Sequence, residues 1–187
     1  NWQKVEWLQR ELVNSLYAKM LAVRHVVKNN SEPGVDGVKW TTDEEMMRAA
    51  LSLRSYGYRA KPNRDFELIE EERTRHIRIP IAYDKAMQAL HAFSLDPVAE
   101  STADKKSFSA RKGRSTLDAY AHLCRILNQP DPPRWVLRAD VKACYDSISH
   151  KWLIENIPMD KHVLRECLQA GLVSCGDFFP TNVGISL

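Results

Sequence analysis

Glycine, proline and cysteine are scarce in this chain, and it has no long apolar run. Seven glycines and nine prolines among 187 residues exclude a collagen-like or low-complexity protein. The longest apolar stretches fall far short of the roughly 18 residues a membrane-spanning helix needs. The opening Asn1-Trp2-Gln3-Lys4 lacks the apolar core of a signal peptide, and it lacks an initiator Met, as expected of a trimmed or excised piece. No pair among Cys124, Cys144, Cys167 and Cys175 has Cys-x-x-Cys spacing, so a zinc site is not expected. Read as reduced core thiols, these cysteines predict a cytoplasmic setting. The net charge of +3 is too small to define a partner.

What is present suits one ordinary domain, or one and a fraction, able to bury a core without disulfides. Val5, Leu8, Leu12, Leu16, Met20, Val23 and Val27 recur at helical spacing and predict a helix over residues 5–28. Asn29 to Gly34 breaks it, and Gly34-Val35-Asp36-Gly37 reads as a tight turn. Thr42 or Asp43 is suited to cap a helix running to about Arg54. Between Asn63 and Pro80, Phe66 and Leu68, then Ile77 and Ile79, alternate with polar residues around a charged centre, which predicts a β-hairpin. A helix is expected over about 83–95, closed by Pro97. Ser115 with Asp118 forms a capping-box pattern for a helix to about Leu127. Trp135-Val136-Leu137-Arg138-Ala139-Asp140-Val141 is mostly apolar and predicts a buried strand. Short helices capped by Ser149 or Asp146 and by Asp160 follow, then an extended tail. The order of elements defines an α+β fold.

Two features point to chemistry. Residues 104–114 hold five bases and one acid beside Gly113, a cluster able to grip phosphates, although taken by itself it reads first as a solvated loop. Asp140 would stand at the end of an apolar strand, where an unpaired carboxylate is costly. A Mg²⁺ ion suits it, because Mg²⁺ prefers hard oxygen ligands; pairing with Lys142 or Arg138 is the alternative. Asp146 reads as a helix cap.

Taken together, the motifs resemble those of bacterial reverse transcriptases of the group II intron type. Trp135 followed by Asp140-Val141-Lys142-Ala143-Cys144-Tyr145-Asp146-Ser147-Ile148-Ser149-His150 is similar to that family's first catalytic motif, Trp-x(4)-Asp-Ile/Leu-x-x-x-Phe-Asp-x-Ile-x-His. Ser107-Phe108-Ser109-Ala110-Arg111-Lys112-Gly113-Arg114-Ser115 resembles Ser-Tyr-Gly-Phe-Arg-Pro-Gly-Arg-Ser. The stretch from Arg75 through Ile79-Pro80 and Asp84-Lys85 to Gln88 resembles Arg-Pro-Leu-Gly-Ile-Pro-x-x-x-Asp-Arg-x-x-Gln. Leu95-Asp96-Pro97-Val98-Ala99-Glu100 fits Leu-x-Pro-x-x-Glu, and the opening helix with Gly34 to Gly37 matches the family's first segment. The matches occur in family order over nearly the whole chain.

The resemblance implies part of a right-hand polymerase: fingers and the start of a palm, with a hairpin and a partial antiparallel palm sheet. Residues 1–40 would be an N-terminal helical extension, 41–133 the fingers and 134–187 the incomplete palm. It implies an RNA-directed DNA polymerase using two Mg²⁺ ions, with Asp140 as a catalytic metal ligand and the Val141 carbonyl as a further one. Arg64 and Arg75 would contact the nucleotide triphosphate, beside Ala143, Cys144 and Tyr145. Tyr145 would obstruct a ribose 2′-hydroxyl. Arg111, Lys112 and Arg114 would lie along nucleic acid. The implied partners are an RNA template, a DNA or RNA primer and dNTP, with intron RNA or CRISPR adaptation proteins as further candidates and no membrane. The parent protein would be an intron-encoded maturase, a CRISPR-associated reverse transcriptase or a domesticated defence enzyme.

Departures are specific. The family's Ile-Pro-Lys in the first hairpin arm becomes Leu68-Ile69-Glu70, with Arg73 as the nearest substitute. Its Gly-x-Pro-Gln-Gly becomes Gly184-Ile185-Ser186-Leu187, and no Tyr-x-Asp-Asp occurs. A single Asp140 cannot hold two ions, so these residues alone are expected not to extend a primer. The alternative to the enzyme is an RNA-binding, maturase-like module whose polymerase centre has decayed. A small helical scaffold with an incidental Asp leaves the ordered motifs unexplained.

Overall fold

The computed structural model describes residues 1–30, 32–70 and 73–185, with only the backbone described at 70 and 73–75. The chain divides into two compact units, 1–95 with 143–187, and 96–142.

The first unit begins with α1 (Trp2–Asn14) and α2 (Leu16–Lys28), where one continuous helix was expected. Ser15 adopts an extended ψ of 126°, which interrupts the helix and changes the phase of the stripe. Leu8, Leu16 and Met20 of the expected stripe are exposed, while Val13, Ala18, Ala22 and Val23 are buried. A tight turn follows at Gly34–Gly37, closed by the Gly37 N–H donating to the Gly34 carbonyl at 3.2 Å. Next, α3 (Asp43–Ser52) starts in a capping box, with Thr42 accepting from the Glu45 N–H and Glu45 accepting from the Thr42 N–H. That box satisfies donors the first helical turn would leave orphaned. The core gathers small and medium side chains: Ala22, Ala50, Leu53, Ala86, Met87, Leu90 and Val163 are fully buried.

The expected hairpin forms from β1 (Asn63–Glu70) and β2 (Arg73–Ile79), in a register pairing Arg64 with Ile79 and Glu70 with Arg73. The acidic turn at Glu71 and Glu72 lies outside the described residues. After the hairpin comes α4 (Ala82–Thr102), which runs through Pro97 rather than stopping there. Proline lacks an N–H and crowds the preceding turn, at about 3 kcal/mol. Beyond it the helix continues, with the Ser101 and Thr102 hydroxyls both donating to the Val98 carbonyl at 2.8 Å.

After α6 (Cys144–Ser147), α7 (His150–Asn156) and α8 (Lys161–Leu168), the tail returns to the hairpin. Strand β3 (Leu172–Ser174) pairs in parallel with β1, and β4 (Asp177–Phe179) lies antiparallel on β3. The sheet order is therefore β2-β1-β3-β4, and the sheet is mixed.

The second unit holds α5 (Thr116–Leu127), begun by the Ser115–Asp118 capping box. No residue from 96 to 142 is buried. The strand expected at 135–141 is absent: this backbone is irregular, and Trp135, Val136 and Leu137 are 93%, 88% and 91% exposed. A strand is stabilised by a ladder and by covered faces, and the sheet just described does not include this segment. The thiols depart from expectation too: Cys124 and Cys167 are half-buried, but Cys144 and Cys175 are exposed, and all four are unpaired.

Candidate functional site

The hairpin carries the first group of candidate residues. Arg64 lies on β1 with its guanidinium 5.7 Å from the Phe66 ring centroid, and its Nη2 is 3.9 Å from Glu32 Oε2. Its Nε and Nη2 are buried and have no hydrogen-bond partner among the described residues. Buried donors of this kind are costly to leave unmatched, and an incoming anion would match them. Position 75 falls on the same face of the ladder as Arg64, but its side chain lies outside the described residues, as do those of Glu70 and Arg73.

Beneath the hairpin sits a carboxylate that sequence reasoning named only as part of a motif. Asp84 is buried; Oδ1 accepts from the Tyr58 hydroxyl and Oδ2 from the Lys61 N–H, each at 2.9 Å. Burial raises its pKa, opposed by those two hydrogen bonds. The adjacent Lys85 donates to the Glu32 carbonyl at 2.6 Å, and burial, then Lys39 and Arg64, lowers its pKa.

The second group is the turn that starts α6. Ala143 is left-handed (φ 48°, ψ 42°), a conformation that costs a non-glycine residue about 1–2 kcal/mol. The tail holds this turn in place. The Gly184 N–H donates to the Ile148 carbonyl and the Ile185 N–H to the Tyr145 carbonyl, both at 2.9 Å. The buried His150 donates from Nε2 to the Gly184 carbonyl at 2.6 Å, which places its proton on Nε2 and leaves Nδ1 unpartnered. A carbonyl can only accept, so the tautomer follows. Cys144 and Tyr145 are left exposed on the turn. The roles of His150 and Gly184 were not read from sequence, although both stand in quoted motifs; the signal was a histidine and a glycine in two segments that turn out to touch.

Asp140 and Val141 belong to the other unit and are exposed on the irregular segment. Asp140 makes no hydrogen bond or ion pair among the described residues. Nor do three or more His, Cys, Asp or Glu side chains converge there on a metal position. Asp140 and the Val141 carbonyl are hard oxygen donors of the kind Mg²⁺ takes, but they are too few for its octahedral shell.

The basic loop is engaged internally. Arg111, only 10% exposed, binds Glu100 through Nε at 3.1 Å and Nη2 at 2.8 Å. Its Nη1 donates to the Asp104 and Ser107 carbonyls at 2.6 and 3.0 Å. Arg114 shares Glu100 at 2.8 Å, and the exposed Lys112 pairs with Asp96. The Arg111 hydrogen bond, with both guanidinium charges, holds the Glu100 carboxyl below its ordinary value.

The chain belongs to the reverse transcriptase family. A family model described as "Reverse transcriptase (RNA-dependent DNA polymerase)" matches residues 61–183, and one described as "N-terminal domain of reverse transcriptase" matches residues 1–53. Among curated proteins, it is similar to Protein YkfC of Escherichia coli (strain K12), 24% identical over 172 residues. That match covers 84% of this chain and 45% of YkfC, so the chain spans about half the length of this relative. Among the described residues, no helix is long and apolar enough to cross a membrane.

Proposed function

We propose that this chain is the fingers and first palm segment of a cytoplasmic RNA-directed DNA polymerase of the group II intron type. In this reading residues 1–40 are an N-terminal extension, 41–133 the fingers and 134–187 the start of the palm. The observation that carries it is the Ala143–Asp146 turn, whose left-handed start is held by Gly184, Ile185 and His150. Backbone strain of this sort persists only where its surroundings over-determine it, and it clusters at functional sites.

Each residue has a part in this reading. Asp140 and the Val141 carbonyl would hold Mg²⁺, which when bound activates the primer 3′-hydroxyl and neutralises the departing pyrophosphate. Arg64, with buried N–H donors to spare, binds triphosphate oxygens, and Arg75 is its partner on the same ladder face. Ala143, Cys144 and Tyr145 form the floor of the nucleotide pocket, and the Tyr145 ring excludes a 2′-hydroxyl. Lys112 and Arg114 meet the template side, while Arg111 sets the loop. The partners are an RNA template, a DNA or RNA primer and dNTP.

The test is primer extension on an RNA template by the natural full-length protein. Asp140→Ala is expected to reduce extension to background while leaving the thermal midpoint unchanged, because its side chain is exposed and makes no described contact. Extension by the variant at the wild-type rate would remove Asp140 from the mechanism. RNA binding without extension by the wild type would instead point to a decayed binding module.

A further inference from the structure

The contacts around the Tyr145 turn, all within the first unit, meet at one peptide group. The Gly184 carbonyl and the Ile185 N–H belong to the same planar unit, and because it is trans they point in opposite directions. His150 Nε2 donates to the carbonyl at 2.6 Å. The N–H at the other end donates to the Tyr145 carbonyl at 2.9 Å. The peptide is thus a rigid bridge from the imidazole to the backbone of Tyr145. His150 reaches its near neighbour Tyr145 through a carbonyl 34 residues further along the chain.

Such a bridge has to be steadied from outside. Gly184 has φ +79°, and glycine has no Cβ to restrict rotation of the peptide that follows it. The Gly184 N–H, bonded to the Ile148 carbonyl, fixes the preceding peptide. The His150 imidazole fixes the following one. It is well placed to do so: it is 6% exposed and is the first residue of α7, whose Ser149 cap accepts from the Trp152 N–H at 3.3 Å. A side chain that merely filled this space would be apolar. Histidine instead leaves Nδ1 buried without a partner among the described residues, a cost set against the directed Nε2 bond. Tyr145 itself is 48% exposed, so neighbouring side chains cover only part of the ring, and the backbone that carries it has the larger share in setting its place.

We propose that His150 is a positioning residue for sugar selection: through the 184–185 peptide it sets the place of the Tyr145 ring against the ribose of the incoming nucleotide. It rests on the polymerase reading, in which that ring excludes a 2′-hydroxyl. Exclusion of a single oxygen tolerates little displacement, and a shift of about 1 Å is enough to make room for it. Buried as it is, His150 meets no nucleotide itself. The substrate it favours through Tyr145 is the deoxyribonucleotide.

The experiment compares wild type, His150→Leu, His150→Gln and Tyr145→Ala in the natural full-length protein. Leucine keeps a similar volume without a donor, and glutamine returns an amide N–H to about the place of the Nε2 proton. Hydrogen exchange of the segment holding the Ile185 amide is followed without metal or nucleotide. The ratio of kcat/KM for dNTP over rNTP is measured by primer extension on an RNA template with Mg²⁺. In His150→Leu, exchange at Ile185 is expected to be about tenfold faster and the sugar ratio about tenfold lower, with both largely restored in His150→Gln. Loss of folded protein lowers both rates alike and leaves their ratio unchanged, so the ratio separates positioning from a merely structural role. Unchanged exchange or an unchanged ratio in His150→Leu overturns the proposal. Should His150→Leu fail to fold, His150→Asn, whose shorter amide falls short of the Gly184 carbonyl, carries the same comparison. A lower ratio in Tyr145→Ala beside an unchanged one in His150→Leu removes His150 alone. An unchanged ratio in Tyr145→Ala removes the role of both side chains, and no extension by the wild type removes the polymerase reading and the sugar role with it.

Discussion

Gly184 has no room for a methyl group. A Cβ there would lie 2.9 Å from the Asp146 Cα and carbonyl oxygen, and its φ of +79° already disfavours any other residue. Those atoms are backbone, so the tail or the Tyr145 turn would have to move. Gly184→Ala is therefore expected to cost about 2 kcal/mol or more in urea unfolding, combining left-handed strain with the clash. A variant as stable as the wild type would dismiss this steric account. The sequence offered Gly184 as the start of a departed motif; its steric necessity became visible only when residues 145 and 184 met. The same holds for Arg64. Its basic character was legible, but its unmatched buried nitrogens depend on Phe66, Glu32 and the sheet around it.

At the scale of elements, the local signals carried furthest. The Ser115–Asp118 capping box forms as read, and of the two caps offered for α3 it is Thr42 that serves, with Glu45 completing a box the sequence reading did not name; each needs only three residues of separation. Thr42→Ala should cost about 1 kcal/mol, measured by chemical denaturation. The Glu45 carboxyl is held below 4.5 by the Thr41 and then the Thr42 backbone N–H. A depressed carboxyl contributes stability that is present above its unfolded value and is lost as pH falls through the folded one. Thermal midpoints should therefore fall as pH drops below about 4.5, and less so in Glu45→Gln, which keeps an acceptor and does not titrate. Equal slopes for the two proteins would exclude this cap as a source of acid sensitivity. Asp84 acts in the opposite sense: burial raises it, so its contribution is complete at low pH and declines as pH rises through its folded value. The hairpin and its period-two pattern were likewise legible. The segment at 135–141 was not, since an apolar run states what a strand prefers and says nothing of whether a partner strand is at hand.

At the scale of the whole molecule, the two units differ in what holds them. The first has a core of buried side chains drawn from α1, α2, α3, α4 and α8. The second buries no residue fully, and the apolar face of α5, with Leu117, Tyr120, Leu123 and Leu127, is open. Brief trypsin treatment should therefore cut first after Arg134, Arg138 or Lys142, where the backbone is exposed and outside any ladder. Mass spectrometry locates the cuts, and first cleavage inside α2 or α3 would contradict this ordering. Fold class followed from the order of periodic segments. The division into units did not, because it depends on contacts between residues as far apart as Tyr58 and Cys167, whose hydroxyl and sulfur lie 3.8 Å apart.

The three-way clasp of Glu100 with Arg111 and Arg114 has one more implication. With no fully buried residue, the stretch from 100 to 114 is held by opposed charges and carbonyl bonds beside a ring contact of Phe108 with His122. A polyanion approaching it competes with a resident carboxylate for the same guanidinium groups, and so does dissolved salt. The shape of this loop and the availability of its arginines are thus drawn from one reservoir: an arginine that lets go of Glu100 also lets go of the loop that presents it.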